Sequence, residues 1–250
     1  TVPTGAIIGM GPTPLVMEHV REAVAKGHSR VKMKIAPGKG FASVEAARRT
    51  FPDLLITLDA NRSFGPDDIK ELKSYDALNV GWIEEPFALK TTVQNTVRDP
   101  LAEMNTMQTE FFTPFCVDES YSDLQDALRI LKMPNLHVIS IKVAKFGGIR
   151  ATLEFIARAK MMGRVIWMGG TYGTGVSRRM SAAFETLPDM VFPGDIASTL
   201  RYFDIDITTP VYDTQSGDVS LNNGGFEFGL GCTLDEEKIA LCEVNRIVLE

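Results

Sequence analysis

The sequence predicts a (β/α)8 barrel, and three observations carry that prediction. Apolar runs of four to eight residues alternate with stretches of helical period, the pattern of repeated βα units on a parallel sheet. Eight such units fit into residues 1–199, within the roughly 250 residues that such barrels usually take. Charged residues close several of these runs, and barrels carry their catalytic groups at the C-terminal ends of strands. An open doubly wound sheet would more often show a glycine-rich phosphate loop after its first strand, and GMGPTP is not a G-x-G-x-x-G.

The first strand falls at Gly5 to Met10. Thr13 followed by Pro14 starts a helix, because the fixed proline φ suits the first turn, and Gly27 stops it; Val16, Val20 and Val24 mark its apolar face. The next strands fall at Arg30 to Ile35, Leu54 to Ala60 and Val80 to Glu85. A long connection, Phe87 to Asn105, precedes the fifth strand at Phe115 to Glu119. Ser122 with Gln125 three residues later reads as a capping box ahead of LQDALRIL. The sixth strand spans Val138 to Ala144, and a helix from Ile149 to Met162 ends at Gly163. Val165 to Met168 and Met190 to Phe192 supply the last two strands. From Leu200 the βα rhythm gives way to turn formers, TTPVYDTQSGDVSLNNGG, before a short helix at Asp235 to Val244. Residues 200–250 are therefore expected to be a tail packed on the barrel or on a neighbouring domain.

Composition narrows the function. With 250 residues and 44% hydrophobic content the chain can bury one large core. A net charge of −6 and a pI near 5.2 argue against nucleic acid as a partner, since Lys and Arg are scattered rather than massed. Cys116, Cys232 and Cys242 lack CxxC spacing, so neither a disulfide framework nor a zinc site is indicated, and a reducing, cytoplasmic setting fits. No apolar run approaches the roughly 18 residues of a membrane span. The chain opens on Thr1 and enters the run AIIGM almost at once, which suggests a removed upstream segment.

Lys32 and Lys34, Asp59, Glu84 and Glu85, Asp118 and Lys142 stand at the strand ends; counted from Lys34 the spacings are 25, 25, 34 and 24 residues. A charge at the end of a buried strand is costly unless it is paired, metal-bound or catalytic, so the series points to one shared site. Strand alternation puts Lys32 and Lys34 on one face and Val31, Met33 and Ile35 on the other. A lone K-x-K is more often a pair of snorkelling surface lysines, but the companion strands argue otherwise. Mutual repulsion and burial are expected to lower the pKa of one of the two lysines, which suits a general base. Thr57, Asp59 and Asn61 share a face, and Asp118 lies on the side of Cys116. Glu84 and Glu85 point to opposite faces, and parity does not say which points inward.

Three carboxylates from consecutive strands form an all-oxygen set that suits Mg²⁺. His19, His28 and His137 end no strand at the site face and read as structural or exposed. A divalent cation beside a lysine of depressed pKa suits removal of a proton α to a carboxylate, because it stabilises the enediolate that forms. A salt-bridge network closing the barrel mouth would explain any single pair, but not the whole series. A Schiff-base aldolase using Lys34 or Lys142 would leave the carboxylates without a role.

These residues resemble the enolase superfamily, in the branch of o-succinylbenzoate synthase and N-acylamino acid racemase. The likeness runs through V-K-M-K-I, L-D-A-N, I-E-E-P, C-V-D-E-S, I-K-V-A-K-F-G-G-I and W-M-G-G, from about Thr4 to Asp195. It implies Asp59, Glu84 and Asp118 as ligands of Mg²⁺, with Mn²⁺ as a substitute, and so favours Glu84 over Glu85. It implies Lys34 as acid and base, Lys32 as its tuner, Lys142 on the opposite face, and Asn61 and Glu119 behind the metal ligands. The implied reaction is the synthase step of menaquinone biosynthesis, a carbon–oxygen (hydro-lyase) dehydration of a cyclohexadiene carboxylate. Racemisation of an N-acylamino acid on the same lysines is the alternative. The resemblance implies a small carboxylate substrate as partner, while a homo-oligomer is left open, since the sequence does not give the oligomeric state. The chain departs from the family pattern in two ways. Thr171 and Gly173 stand where a Met and a Glu are usual in the loop after W-x-G-G. An N-terminal capping domain is expected in the parent protein and absent here, so a catalytically silent barrel fragment is a further reading.

Overall fold

Short β-branched and apolar runs build the centre of the molecule, and amphipathic helices cover it. In the computed structural model, residues 1–87, 99–214, 216–221 and 229–244 are described. After a two-residue β1 (Val2–Pro3), strands and helices alternate: β2 (Ala6–Ile8), α1 (Thr13–Ala25), β3 (Arg30–Lys34), α2 (Phe41–Thr50), β4 (Leu55–Asp59), α3 (Ile69–Ser74), β5 (Ile83–Glu84), α4 (Pro100–Met107), β6 (Phe115–Val117), α5 (Leu124–Ile130), β7 (Val138–Ile141), α6 (Ile149–Met161), β8 (Val165–Met168) and α7 (Gly175–Phe184). The seven strands β2 to β8 form one parallel sheet in sequence order, the curled sheet of a (β/α) barrel. The expected long connection yields α4, while residues 88–98 lie outside the described residues.

The predicted eighth strand at Met190 to Phe192 is not formed. Its place is taken by one parallel bridge between Thr4 and Gly194. Gly5 N–H donates to Gly194 O at 2.8 Å and Asp195 N–H to Met168 O at 2.9 Å, so this short stretch joins β8 to the segment entering β2. Pro193 has no N–H to give a ladder, and its carbonyl accepts from Arg30 Nε at 2.6 Å instead.

Side-chain alternation divides the core in two. Trp82, Cys116, Val138 and Trp167 pack together inside the ring with Phe192 against them, and the Trp82 ring lies 5.3 Å from both Trp167 and Phe192. Val31, Met33, Ile56, Leu58, Ile139 and Ile166 belong to the larger core under the helices. On β3 this parity turns Arg30, Lys32 and Lys34 inward.

Local signals behave with one change. α1 carries Pro in its first turn, and Gly27 follows it at φ 89°, a left-handed conformation that glycine adopts without cost. The cap of α5 is Asp123, whose side chain accepts from Asp126 N–H at 2.9 Å, rather than the expected Ser122; the Ser122 hydroxyl donates to Asp126 Oδ2. Beyond residue 199, β9 (Thr208–Thr209), β10 (Asp218–Val219), β11 (Thr233–Leu234) and α8 (Glu236–Cys242) follow. β10 pairs antiparallel with β1, and β11 with β9. Asp206 accepts the Gly175 N–H at the start of α7. Among the described residues no helix is long and apolar enough to cross a membrane.

Candidate functional site

Register brings the predicted charges together. Lys34 lies opposite Asp59 across the β3–β4 ladder, and Asp59 opposite Glu84 across β4–β5. Asp118 and Lys142 follow directly on β6 and β7. The ends of these strands open onto a cavity of about 460 Å³, whose lining includes Lys34, Asp59, Asp118, Lys142, Thr171 and Tyr172.

Lys34 is 28% exposed at this opening and donates to Asp59 Oδ2 at 2.7 Å and to Asn61 Oδ1 at 2.6 Å. Asn61 sits at φ 42°, a left-handed conformation that asparagine tolerates better than most residues. From there its N–H reaches Asp59 Oδ1 at 3.0 Å and its amide donates to Glu119 Oε1 at 2.8 Å. Asn61 and Glu119 thus hold Lys34 and Asp59 in place. On the other side of the mouth Lys142 Nζ lies 2.6 and 2.7 Å from the two Asp118 oxygens. Burial would lower the Lys142 pKa, but Asp118, Glu84 and Glu119 hold it above its usual value.

Lys32 lies deeper, 2.6 Å from Asp195 Oδ2, 3.1 Å from Asp59 Oδ2 and 3.2 Å from Glu84 Oε2. The expected lowering of a lysine pKa does not occur here. Burial acts in that direction, but Asp195, Glu84 and Asp59 together hold the ammonium well above its ordinary value.

The two adjacent glutamates have different surroundings. Glu84 meets Lys32 inside the ring. Glu85, at φ 39°, turns away and ties down the loop after β6: its Oε1 accepts the N–H groups of Asp118 at 2.8 Å and Ser120 at 2.6 Å, and its Oε2 lies 3.2 Å from Arg62 Nε. Burial pushes the Glu84 carboxyl well up, Lys32 opposes this, and Asp59 and Asp118 add to the rise. Burial also acts upward on Asp118, but Lys142 and a hydrogen bond with Glu84 hold it below the usual carboxylate range. The two neighbouring carboxyls are thus pushed in opposite directions, Glu84 up and Asp118 down.

Glu84 and Asp118, with Asp59 beside them, are in kind the oxygen donor set of a hard divalent cation. Among the described residues no three His, Cys, Asp or Glu side chains converge as a formed metal cluster; the carboxylates are turned onto the lysines. The histidines stand apart from the mouth chemistry. His19 is exposed, His28 Nδ1 lies 2.9 Å from Thr4 O, and His137 Nδ1 lies 2.8 Å from Arg164. Of the two loop positions singled out in the sequence, Thr171 lines the cavity and Gly173 lies against Ser177.

The family described as enolase C-terminal domain-like matches residues 15–238. The chain belongs to that family. This enolase-like barrel is 31% identical over 236 residues to an o-succinylbenzoate synthase of Bacillus subtilis (strain 168), covering 94% of the chain and 60% of that protein. It is 31% identical over 217 residues to an N-succinylamino acid racemase of Thermus thermophilus, covering 86% and 56%. A crystal structure of an enolase superfamily member from Enterococcus faecalis V583 superposes with a TM-score of 0.84 at 31% identity, over 96% of the chain and 62% of that one. The enolase-like barrel thus spans about 60% of the length of the curated relatives it matches.

Four participants escaped the sequence reading. Asp195 is fully buried between Lys32 and Arg30; burial acts to raise its carboxyl, but the two cations hold it down at about 2. Arg30 had its signal in parity with Lys32, and Asp195 in standing three residues past the last apolar run. Lys145 donates to the carbonyls of Asp118 and Tyr121 at 2.8 and 2.9 Å. Glu185 is a buried carboxyl on the closing side of the ring, and burial pushes it up to about 8.

Proposed function

We propose that this barrel carries the proton-transfer machinery of an o-succinylbenzoate synthase. The observation that supports it is the placement of Lys34 and Lys142 on one cavity with Asp59 and Asp118 between them and Glu84 behind. Asp59, Glu84 and Asp118 would hold Mg²⁺. When bound, the ion supplies electrostatic stabilisation for negative charge developing on a substrate carboxylate. Lys34 takes the α-proton of a cyclohexadiene carboxylate and returns a proton to the departing hydroxyl on the same face. One C–H and one C–O bond break, a C=C bond forms, and water leaves. Lys142, held charged by Asp118, faces the developing anion from the other side. The relatives' names support the synthase reading, and the whole protein's substrate is proposed on that basis.

A second reading is favoured by the pairing of each lysine with its own carboxylate, Lys34 with Asp59 and Lys142 with Asp118. Two such bases on opposite sides could racemise an N-succinylamino acid by alternating as donor and acceptor. Assay of the intact protein with Mg²⁺ on both substrates decides between them. Under either reading Lys34→Ala is expected to cost at least about a hundredfold in kcat with the fold kept. Wild-type turnover in Lys34→Ala overturns both.

A further inference from the structure

Lys32 presents an electrostatic problem that the proton chemistry leaves open. Its ammonium lies within 3.2 Å of Asp59 and Glu84, two of the three carboxylates assigned above to a divalent cation. An ammonium at that distance competes for the same lone pairs. It rises from β3 with Asp59 and Glu84 on one side, on β4 and β5, and with Asp195, on the closing segment of the ring, as its third partner. The Asp195 contact is the shortest of the three, at 2.6 Å.

Asp195 is itself held firmly. Its other oxygen is ion-paired with Arg30, whose guanidinium donates to Pro193 O at 2.6 Å and Thr57 Oγ1 at 3.1 Å and lies 4.8 Å from the Trp167 ring centre. Its backbone is fixed by the Met168 bond and by Gly170, where an added Cβ would fall 2.9 Å from Asp195 O. A charge so fixed in a dry interior gives Lys32 a permanent partner besides Asp59 and Glu84.

We propose that Asp195 is a positioning residue that takes a share of the Lys32 charge from Asp59 and Glu84 and so leaves those carboxylates able to take a divalent cation. The proposal rests on the metal reading above. Removing Asp195 would throw the whole ammonium charge onto Asp59 and Glu84, which would then hold the metal less well.

Mg²⁺ titration calorimetry of the intact protein tests this without any assay of activity. Asp195→Asn is expected to weaken Mg²⁺ binding by about 10- to 100-fold, the usual effect of losing a group behind the ligands. Lys32→Met, which removes the competitor, is expected to tighten binding. In the Lys32→Met background, Asp195→Asn should shift affinity by no more than about threefold, a coupling that mere structural damage would not produce. Equal Mg²⁺ affinity in wild type and Asp195→Asn overturns the proposal, as does an equal loss with and without Lys32. Should Asp195→Asn fail to fold, Lys32→Met decides alone: unchanged affinity overturns the proposal, and tighter binding supports it. Absence of Mg²⁺ binding by the wild type would overturn the metal reading and this inference with it.

Discussion

Glu185 shows how one buried carboxyl can set a pH dependence. Its pKa of about 8 arises from burial, opposed by Arg30 and reinforced by Asp195. In the unfolded chain a glutamate titrates at about 4.3. The folded state therefore keeps a proton that the unfolded state releases, so its favourable contribution is complete below about 4.3 and is lost as pH rises toward about 8. Glu185→Gln is expected to flatten this fall and to raise stability at pH 8 by up to a few kcal/mol, read from urea unfolding at pH 5, 6.5 and 8. A variant whose stability falls with pH as steeply as the wild type would refute that assignment. The same scale explains the division of labour between Glu84 and Glu85. One peptide step reverses the facing side, so one glutamate meets Lys32 and the other holds the loop carrying Asp118.

At the scale of elements, closure and capping carry the testable consequences. Gly194 occupies the narrow seam of the ring, where an added Cβ would fall 2.0 Å from Glu185 Oε1 and 2.9 Å from Met168 O. Gly194→Ala is expected to destabilise by about 1–3 kcal/mol through forced displacement of that seam, measured as a lower urea midpoint. Asp123→Ala removes the N-cap of α5 and is expected to cost about 1 kcal/mol, with turnover unchanged because α5 lies on the outside of the ring. The local signals for α1 and α6 were legible because proline and glycine act on their own backbone. The eighth strand was not legible in the same way. MVF reads as a strand locally, but Pro193 and the Arg30 bond to its carbonyl leave only the bridge at Gly194.

For the whole molecule, a metal held by side chains from three strands should link stability to metal concentration. Mg²⁺ at about a hundred times its Kd would add about 2.7 kcal/mol, and the unfolding temperature should rise with Mg²⁺ and fall back with EDTA. Asp59→Asn is expected to abolish that rise; a rise that persists would remove Asp59 from the ligand set. The order of residues was enough to specify the alternation of strands and helices, the inward parity of Lys32, Lys34 and Asp59, and the meeting of charges at the strand ends. These follow from periods of 2 and 3.6 residues and from the rule that parallel strands share one end. That Lys32 stays charged, and that Asp195 stands beside it, emerged with the folded barrel alone. Those outcomes depend on contacts between residues up to 165 positions apart, such as Arg30 with Asp195, and no local period encodes a burial or a charge balance assembled at that distance.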